Sequence, residues 1–184
     1  MAVSPTSLGS GTTVWASDAF TTGSVTPNAN EVVYLCIAAA FGGAPIGDNV
    51  LTVDGSGVNL SFDRVGENTQ DSGNARRMVA VFRALGASPT TGTITVTEAS
   101  AQASAGETVK WAVVQFSGCD TSGTNGSGAT GTPTEITGSA STADMTITGT
   151  PNAGDATFGA IATGANVSGN GISPDALWAN IVGV

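Results

Sequence analysis

Carboxylates are the side chains of this chain that could do chemistry, because its 184 residues include no histidine. Neither a Ser-His-Asp triad nor a Cys-His pair can therefore form. Glycoside hydrolysis needs only two carboxylates, and the candidates are Asp54, Asp63, Glu67, Glu98 and Glu107. None lies in an aromatic-rich strand that would form a sugar subsite, since aromatic residues make up only 5% of the chain. The sequence therefore predicts no catalytic residues and no enzyme activity.

The chain also lacks the ligand sets of the common metal and cofactor sites. Without histidine or a Cys-x-x-Cys pair, zinc, haem and iron–sulfur clusters have no ligands. Calcium binds oxygen ligands, and the loop residues that could supply them, without forming a calcium-loop motif, are Asp48, Asn49, Asp54, Asp63, Asp71, Asn74 and Asp120. Such residues commonly bond their own backbone in turns. We therefore predict no metal site and no cofactor.

The two cysteines favour a pair of buried free thiols. Cys36 lies within the apolar run 32–37, and Cys119 follows a strand pattern that ends near Phe116. Free cysteine behaves as a small hydrophobic residue in such surroundings. A single disulfide remains the alternative if the two segments are neighbours.

The charge balance excludes several classes of partner. The net charge is −9, and the chain has only five basic residues, namely Arg64, Arg76, Arg77, Arg83 and Lys110. Binding to nucleic acid or to anionic lipid needs several clustered basic residues. No run approaches the roughly 20 apolar residues of a membrane span, and the N-terminus has no secretory signal pattern. We expect no nucleic-acid partner and no membrane partner.

Composition and patterning predict an all-β fold. The chain is poor in charge, at 10%, and contains 26 glycines, which together with Thr and Val is typical of many short strands separated by turns. The predicted strands cover residues 12–20, 31–40, 50–53, 58–65, 76–84, 93–97, 107–117, 134–141, 145–150, 157–163 and 177–182. About ten strands without a long helix indicate a single antiparallel β-sandwich domain, residues 1–184, of the jelly-roll type.

Several features of this domain follow from the pattern. The segment 31–40 is apolar enough for a central strand that is buried on both faces, and the pair Asp54-Gly55 predicts a hairpin. Residues 1–10 are expected to form an N-terminal arm, and residues 119–133 a long exposed loop. One inter-sheet core layer is predicted to contain Leu35, Ile37, Phe82, Val96, Trp111, Val113 and Phe116.

The three tryptophans, Trp15, Trp111 and Trp178, lie far apart in strand patterns. A sandwich built from small residues needs large side chains to fill its core, so core packing is favoured over a ligand platform. A carbohydrate-binding module, the alternative, would expose two or three coplanar aromatic rings. Solvent exposure of the tryptophans therefore separates these two interpretations.

Three segments carry a resemblance to a known family. In order they are residues 77–84 (RMVAVFRA), 92–97 (GTITVT) and 113–120 (VVQFSGCD), preceded by the hydrophobic strand 31–40. This arrangement resembles a β-sandwich family common in virion proteins of tailed bacteriophages, over roughly residues 10–165. The chain differs from the family at Cys119, where an aliphatic residue is usual, and in having one or two fewer strands.

The resemblance implies a non-enzymatic structural protein of the virion, assembled in the host cytoplasm. Capsid decoration, in which the protein cements the shell through protein–protein contacts, is the first expectation. A tail or fibre component that contacts the host surface is the alternative, and a carbohydrate-binding module is the alternative from another class. The expected partners are other capsid or tail proteins, with surface carbohydrate as a further candidate.

The C-terminal segment, residues 164–184, suggests self-association. It carries the apolar residues Leu177, Trp178, Ile181 and Val182, which we expect to pack on a neighbouring chain. The alternative is that this segment packs on the chain's own sandwich. Arg76 and Arg77 could bind a carboxylate of a neighbouring subunit, although a local surface pair is the alternative. The sequence therefore predicts a homo-oligomer, with a trimer favoured.

Overall fold

The computed structural model describes residues 3–41, 50–72, 75–99 and 107–133, which form two antiparallel sheets. Its eight strands are β1 (Ser4–Val14), β2 (Ala19–Thr21), β3 (Val32–Phe41), β4 (Leu51–Asp54), β5 (Asp63–Ser72), β6 (Ala75–Ala84), β7 (Thr95–Glu98) and β8 (Thr108–Ser117). Two short 3₁₀ turns occupy Ser56–Val58 and Thr124–Ala129. The predicted all-β antiparallel sandwich is confirmed.

The larger sheet has the strand order β1-β8-β3-β6-β5. Its central strand β3 pairs with β6 on one side and with β8 on the other, and residues 32–39 are all buried. Burial on both faces explains why this strand reads as a continuous apolar run rather than an alternating one. The predicted central strand is therefore confirmed.

The smaller sheet has the order β2-β7-β4 and packs against one face of the larger sheet. The core between the sheets contains Leu35, Ile37, Phe82, Trp111 and Val113 from the larger sheet, together with Val96 from β7. These six residues lie in one inter-sheet cluster, as the sequence predicts.

The seventh member of the predicted core layer was assigned to the wrong face. Phe116 is buried, but in a second cluster that also includes Val32 and Tyr34. It follows Val113 by three positions, and successive side chains of a strand point to opposite faces. Val113 and Phe116 therefore cannot share a face.

The predicted hairpin at Asp54-Gly55 is also wrong. Strand β4 pairs with β7, whereas β5 pairs with β6, so the strands on either side of this turn belong to different sheets. After Gly55 the chain makes the 3₁₀ turn Ser56–Val58, and Asn59 adopts a left-handed conformation with φ of 54°. A turn sequence predicts a local reversal, but the pairing partner depends on where the apolar faces pack.

The N-terminal region is more ordered than the sequence suggests. Residues 4–10, which were expected to form an arm, belong to β1 and pair with β8. The single strand predicted over 12–20 is instead the end of β1 and the separate strand β2, with Ser17 at a φ of 64° in the turn between them.

Several predictions fall outside the described residues, namely the strands at 134–141, 145–150, 157–163 and 177–182 and the C-terminal segment 164–184. Within the part of the chain that the structure describes, no helix has the length and hydropathy needed to cross a membrane.

Candidate interaction surfaces

The face of the larger sheet that points away from the smaller sheet, called here the outer face, carries its own apolar cluster. Val32 and Tyr34 of β3 lie there beside Val114 and Phe116 of β8. The rings of Tyr34 and Phe116 meet edge to face, with centroids 5.5 Å apart and planes at 86°. All four side chains are buried, so this end of the outer face is not open to solvent.

The segment that covers it is residues 118–131, called here the cap loop. Gly126 is buried, and a methyl group at this position would lie 3.0 Å from Val32 Cγ2. Its φ is 72°, and Gly118 and Gly123 also have positive φ, a conformation that glycine adopts without steric cost. The glycines of this segment therefore let the backbone turn and approach the sheet closely.

Polar contacts hold the cap loop to the outer face. Arg83, which is only 8% exposed, donates from Nε to the Asn125 carbonyl oxygen at 2.9 Å and from Nη1 to Thr130 Oγ1 at 2.9 Å. The hydroxyl groups of Tyr34 and Thr130 are hydrogen-bonded at 2.6 Å. A buried guanidinium with these partners anchors the loop and is not free to bind a ligand.

Both cysteines are free thiols, as the sequence favours. Cys36 is fully buried, and burial strongly raises the pKa of its thiol. Cys119, in the cap loop, is half-buried, and burial followed by the charge of Glu31 raises the pKa of its thiol as well. A nucleophilic cysteine needs a lowered pKa, so neither environment activates a thiolate.

Two of the candidate calcium ligands, Asp54 and Asp120, instead make the turn contacts that the alternative interpretation describes. Asp54 Oδ1 accepts from the Ser56 amide at 2.8 Å, and Asp120 Oδ1 accepts from the Ser122 amide at 2.8 Å. These backbone hydrogen bonds lower the pKa of both carboxyl groups. Among the described residues, no group of three or more potential ligand side chains is placed to hold a metal ion.

Two further carboxylates lie inside the sandwich. The Glu67 side chain is 2% exposed, and its Oε2 lies 3.2 Å from Arg64 Nε. Arg64 also donates to the Leu51 carbonyl oxygen, and its guanidinium carbon lies 5.4 Å from the centre of the Phe82 ring. Glu98, opposite Leu51 in the β4–β7 pairing, is 2% exposed. Arg64 and Glu67 thus form an ion pair within β5, and the hydrogen bond from Arg64 to the Leu51 carbonyl oxygen joins β5 to β4 of the smaller sheet.

The tryptophans that the structure describes are part of the core. Trp15 is 1% exposed and Trp111 is 7% exposed, and the Trp15 ring packs edge to face on Phe20, with centroids 5.1 Å apart. Core packing is therefore confirmed for both. Neither ring can contribute to an exposed aromatic platform, and Trp178 lies outside the described residues.

The predicted interface residues are only partly described. Arg77 lies on the outer face of β6, opposite Ala40, and is half-buried. The backbone of Arg76 pairs with Phe41, while its side chain falls outside the described part. Leu177, Trp178, Ile181 and Val182 also lie outside the described residues, so the predicted contact of this segment with a neighbouring chain is untested.

Sequence reasoning missed the edge of the larger sheet. Strand β1, eleven residues long, pairs with β8 alone among the described strands. Its sequence SPTSLGSGTTV contains no charged residue. The side chain of Val14, at the end of this strand, is a large hydrophobic group that is 49% exposed. The composition of this segment, rich in Ser, Thr and Gly, is typical of a linker and does not by itself indicate a strand.

Comparisons with known proteins give no relationship: no family model, no curated protein and no solved structure matches this chain.

Proposed function

We propose that this protein is a non-enzymatic structural protein of a tailed-virus particle, and that it decorates the capsid through protein–protein contacts. The observation that carries the proposal is the position of the motif-bearing segments. Residues 77–84 lie in β6 and residues 113–117 in β8, on either side of β3. Two of the three segments that resemble the virion family thus flank the central strand of the larger sheet, and the third, residues 92–97, runs into β7 of the smaller sheet.

The surface chemistry supports a docking role. The chain carries few charges, and the carboxylates Glu67 and Glu98 are enclosed within the sandwich. Interfaces between proteins are depleted of charge at their centre, so a surface rich in Ser, Thr and Gly is suited to contacts with other virion proteins. We further propose that the chain acts as a homo-oligomer on the particle.

The number of copies per purified particle tests this function. Quantitative mass spectrometry should find the chain at a fixed, symmetric ratio to the major shell protein. A few copies per particle would instead favour a tail or fibre component at the host surface. Absence of the chain from purified particles would overturn a virion role altogether.

The temperature at which particles release their genome tests the cementing role separately. Particles that lack this chain should release their genome at a lower temperature than complete particles, and addition of the purified chain should restore the higher temperature. Unchanged thermal release in particles that demonstrably carried the chain would exclude cementing. Loss of host attachment with unchanged thermal release would favour the tail or fibre alternative.

A further inference from the structure

The cap loop contains an asparagine–glycine pair, Asn125-Gly126, where it contacts Val32 of the outer face. Both residues adopt left-handed conformations, with φ of 48° and ψ of 37° at Asn125 and φ of 72° and ψ of 32° at Gly126. Glycine and asparagine enter this region at the least steric cost. The conformation of the loop therefore accounts for both residue types.

An asparagine followed by glycine is also chemically labile. The backbone nitrogen of the glycine attacks Cγ of the asparagine, a cyclic imide forms, and the side-chain amide leaves as ammonia with the proton of that nitrogen. A water molecule then opens the ring at either carbonyl group and gives aspartate or isoaspartate. Asn30 and Asn59, which also have a positive φ, are followed by Glu31 and Leu60, whose side chains hinder the attack.

The native conformation of the loop opposes this reaction at Asn125. Ring closure needs the asparagine side chain and the next backbone nitrogen on the same side of the Cα–C bond. At a ψ of 37°, the Asn125 Cβ and the Gly126 nitrogen lie on opposite sides of it. Rotation about this bond would carry the Asn125 carbonyl oxygen away from Arg83 Nε, which donates to it at 2.9 Å. The hydrogen bond from Arg83 therefore holds the pair in an unreactive geometry.

The reactive geometry requires the cap loop to leave the outer face. Residues 121–124, 127 and 128 are exposed, whereas Gly126 is buried. Segments with few buried apolar side chains open locally at a lower free energy than the whole fold. We propose that Asn125-Gly126 is a site of self-modification, which the docked cap loop keeps unreactive and which local opening of the loop makes reactive.

The isoaspartate product does not fit the docked loop. Isoaspartate carries the chain through its side-chain carbon atoms and so adds one atom to the backbone between positions 125 and 126. The space at Gly126 is already tight, since a methyl group there would lie 3.0 Å from Val32 Cγ2. The hydrogen bond to Arg83 also depends on the position of the native carbonyl group. Modification thus converts a reversible opening into lasting release of the loop from the apolar cluster beneath it.

Peptide mapping by mass spectrometry of the full chain, incubated at mildly alkaline pH, tests the proposal. The second asparagine–glycine pair, Asn170-Gly171, is an internal reference in the same chain. In guanidinium chloride we expect both pairs to convert at similar rates. In the native chain Asn125 should convert about ten-fold or more slowly than in denaturant, because hydrogen bonds to a charged group hold the loop. No conversion of Asn125 in denaturant, or equal rates in the two conditions, would overturn the proposal.

Two variants separate opening of the loop from unfolding of the whole chain. Arg83→Ala removes the anchor of the Asn125 carbonyl oxygen, whereas Phe82→Ala weakens the inter-sheet core on the other face of the same strand. Arg83→Ala should accelerate conversion of Asn125 about ten-fold or more, and Phe82→Ala should leave the native rate unchanged. Thr130→Val repeats the test at the other end of the anchor if Arg83→Ala does not fold.

Two outcomes of this comparison count against the loop. If neither Arg83→Ala nor Thr130→Val accelerates conversion of Asn125, the anchor does not control the reaction. Acceleration by Phe82→Ala that equals or exceeds that of the loop variants would show that the reaction proceeds through global unfolding. Either outcome would overturn the proposal.

Hydrogen exchange of the purified isoaspartate product tests the consequence. We expect faster exchange in residues 118–131, with native protection in β7. Freshly purified Asn125→Asp is the matched control, because it introduces the same charge without lengthening the backbone, and its loop should stay docked. Native exchange in the isoaspartate product, or equally fast exchange in Asn125→Asp, would overturn release of the loop by backbone lengthening.

Discussion

Arg83 Nη1 donates a hydrogen bond to Thr130 Oγ1 at 2.9 Å and thereby joins β6 to the end of the cap loop across 47 positions of sequence. The same threonine oxygen lies 2.6 Å from the Tyr34 hydroxyl. One hydroxyl group therefore links two strands of the larger sheet to the loop that covers them. Because Arg83 is buried, its removal would take a hydrogen-bond donor from the Asn125 carbonyl oxygen and one of two hydrogen bonds from the Thr130 hydroxyl.

The first prediction concerns this anchor. Arg83→Ala should lower the free energy of unfolding by about 2–3 kcal/mol, since hydrogen bonds to a charged group contribute about 1.5–3 kcal/mol. Thr130→Val should cost about 1 kcal/mol. Urea denaturation of both single variants and the double variant should give a total smaller than the sum, because the two residues share a bond. Additive costs would show that the contact contributes nothing.

A second prediction concerns the inter-sheet core. Phe82 is 3% exposed and Trp111 is 7% exposed, so replacement of either by alanine should lower the free energy of unfolding by about 3–5 kcal/mol. Thr97→Ala, at an exposed position, serves as the control and should change stability by less than about 0.5 kcal/mol. A loss below about 1 kcal/mol for Phe82→Ala would contradict the packing of this layer.

The contact between Gly11 and Trp111 gives a third prediction. A methyl group at position 11 would lie 2.9 Å from Trp111 Cζ2, so Gly11→Ala should cost about 1–3 kcal/mol through overpacking. Gly9→Ala is the matched control on the same strand, where the new methyl group would lie 3.7 Å from the Trp111 ring. In thermal denaturation, the midpoint temperature of Gly11→Ala should be lower than that of Gly9→Ala. The reverse order would contradict the observed position of the Trp111 ring.

The buried Cys36 thiol predicts loss of stability in alkali. Burial disfavours the thiolate, so the folded-state pKa lies above the ordinary value of 9.0. A group with a raised folded-state pKa contributes its full stability below the unfolded pKa and loses it as the pH rises. Stability should therefore fall as the pH passes 9.0. The Tyr34 hydroxyl, whose pKa burial also raises, should add to this loss above 10.0.

Cys36→Ala isolates the thiol. Its stability should fall less steeply than that of the wild-type chain as the pH rises past 9.0, while the Tyr34 contribution remains. Cys119→Ala is the control, because that thiol is only half-buried and should change the slope less. Urea midpoints measured across this pH range provide the comparison, and parallel slopes for all three proteins would exclude ionisation of Cys36 as the cause.

The central strand shows what local pattern can predict. Residues 32–41 are apolar at nearly every position, which by itself indicates burial on both faces, and alternation along residues 77–84 correctly separates the core side of β6 from its outer side. The same alternation along β8 places the side chains of Val113 and Phe116 on different faces of the sheet, because the two residues are three positions apart. Residue type alone fits Phe116 to either apolar cluster, and its position in the strand decides which one it joins.

The sequence by itself determined the all-β class and the burial of Trp15 and Trp111. These follow from composition and alternation, which act within a few residues. Only the tertiary structure decided that the chain passes from β4 through Gly55 into a strand of the other sheet, that Arg83 anchors the cap loop, and that β1 lies at an edge among the described strands. Each depends on contacts between segments distant in sequence, where packing of whole faces, rather than local preference, selects the partner.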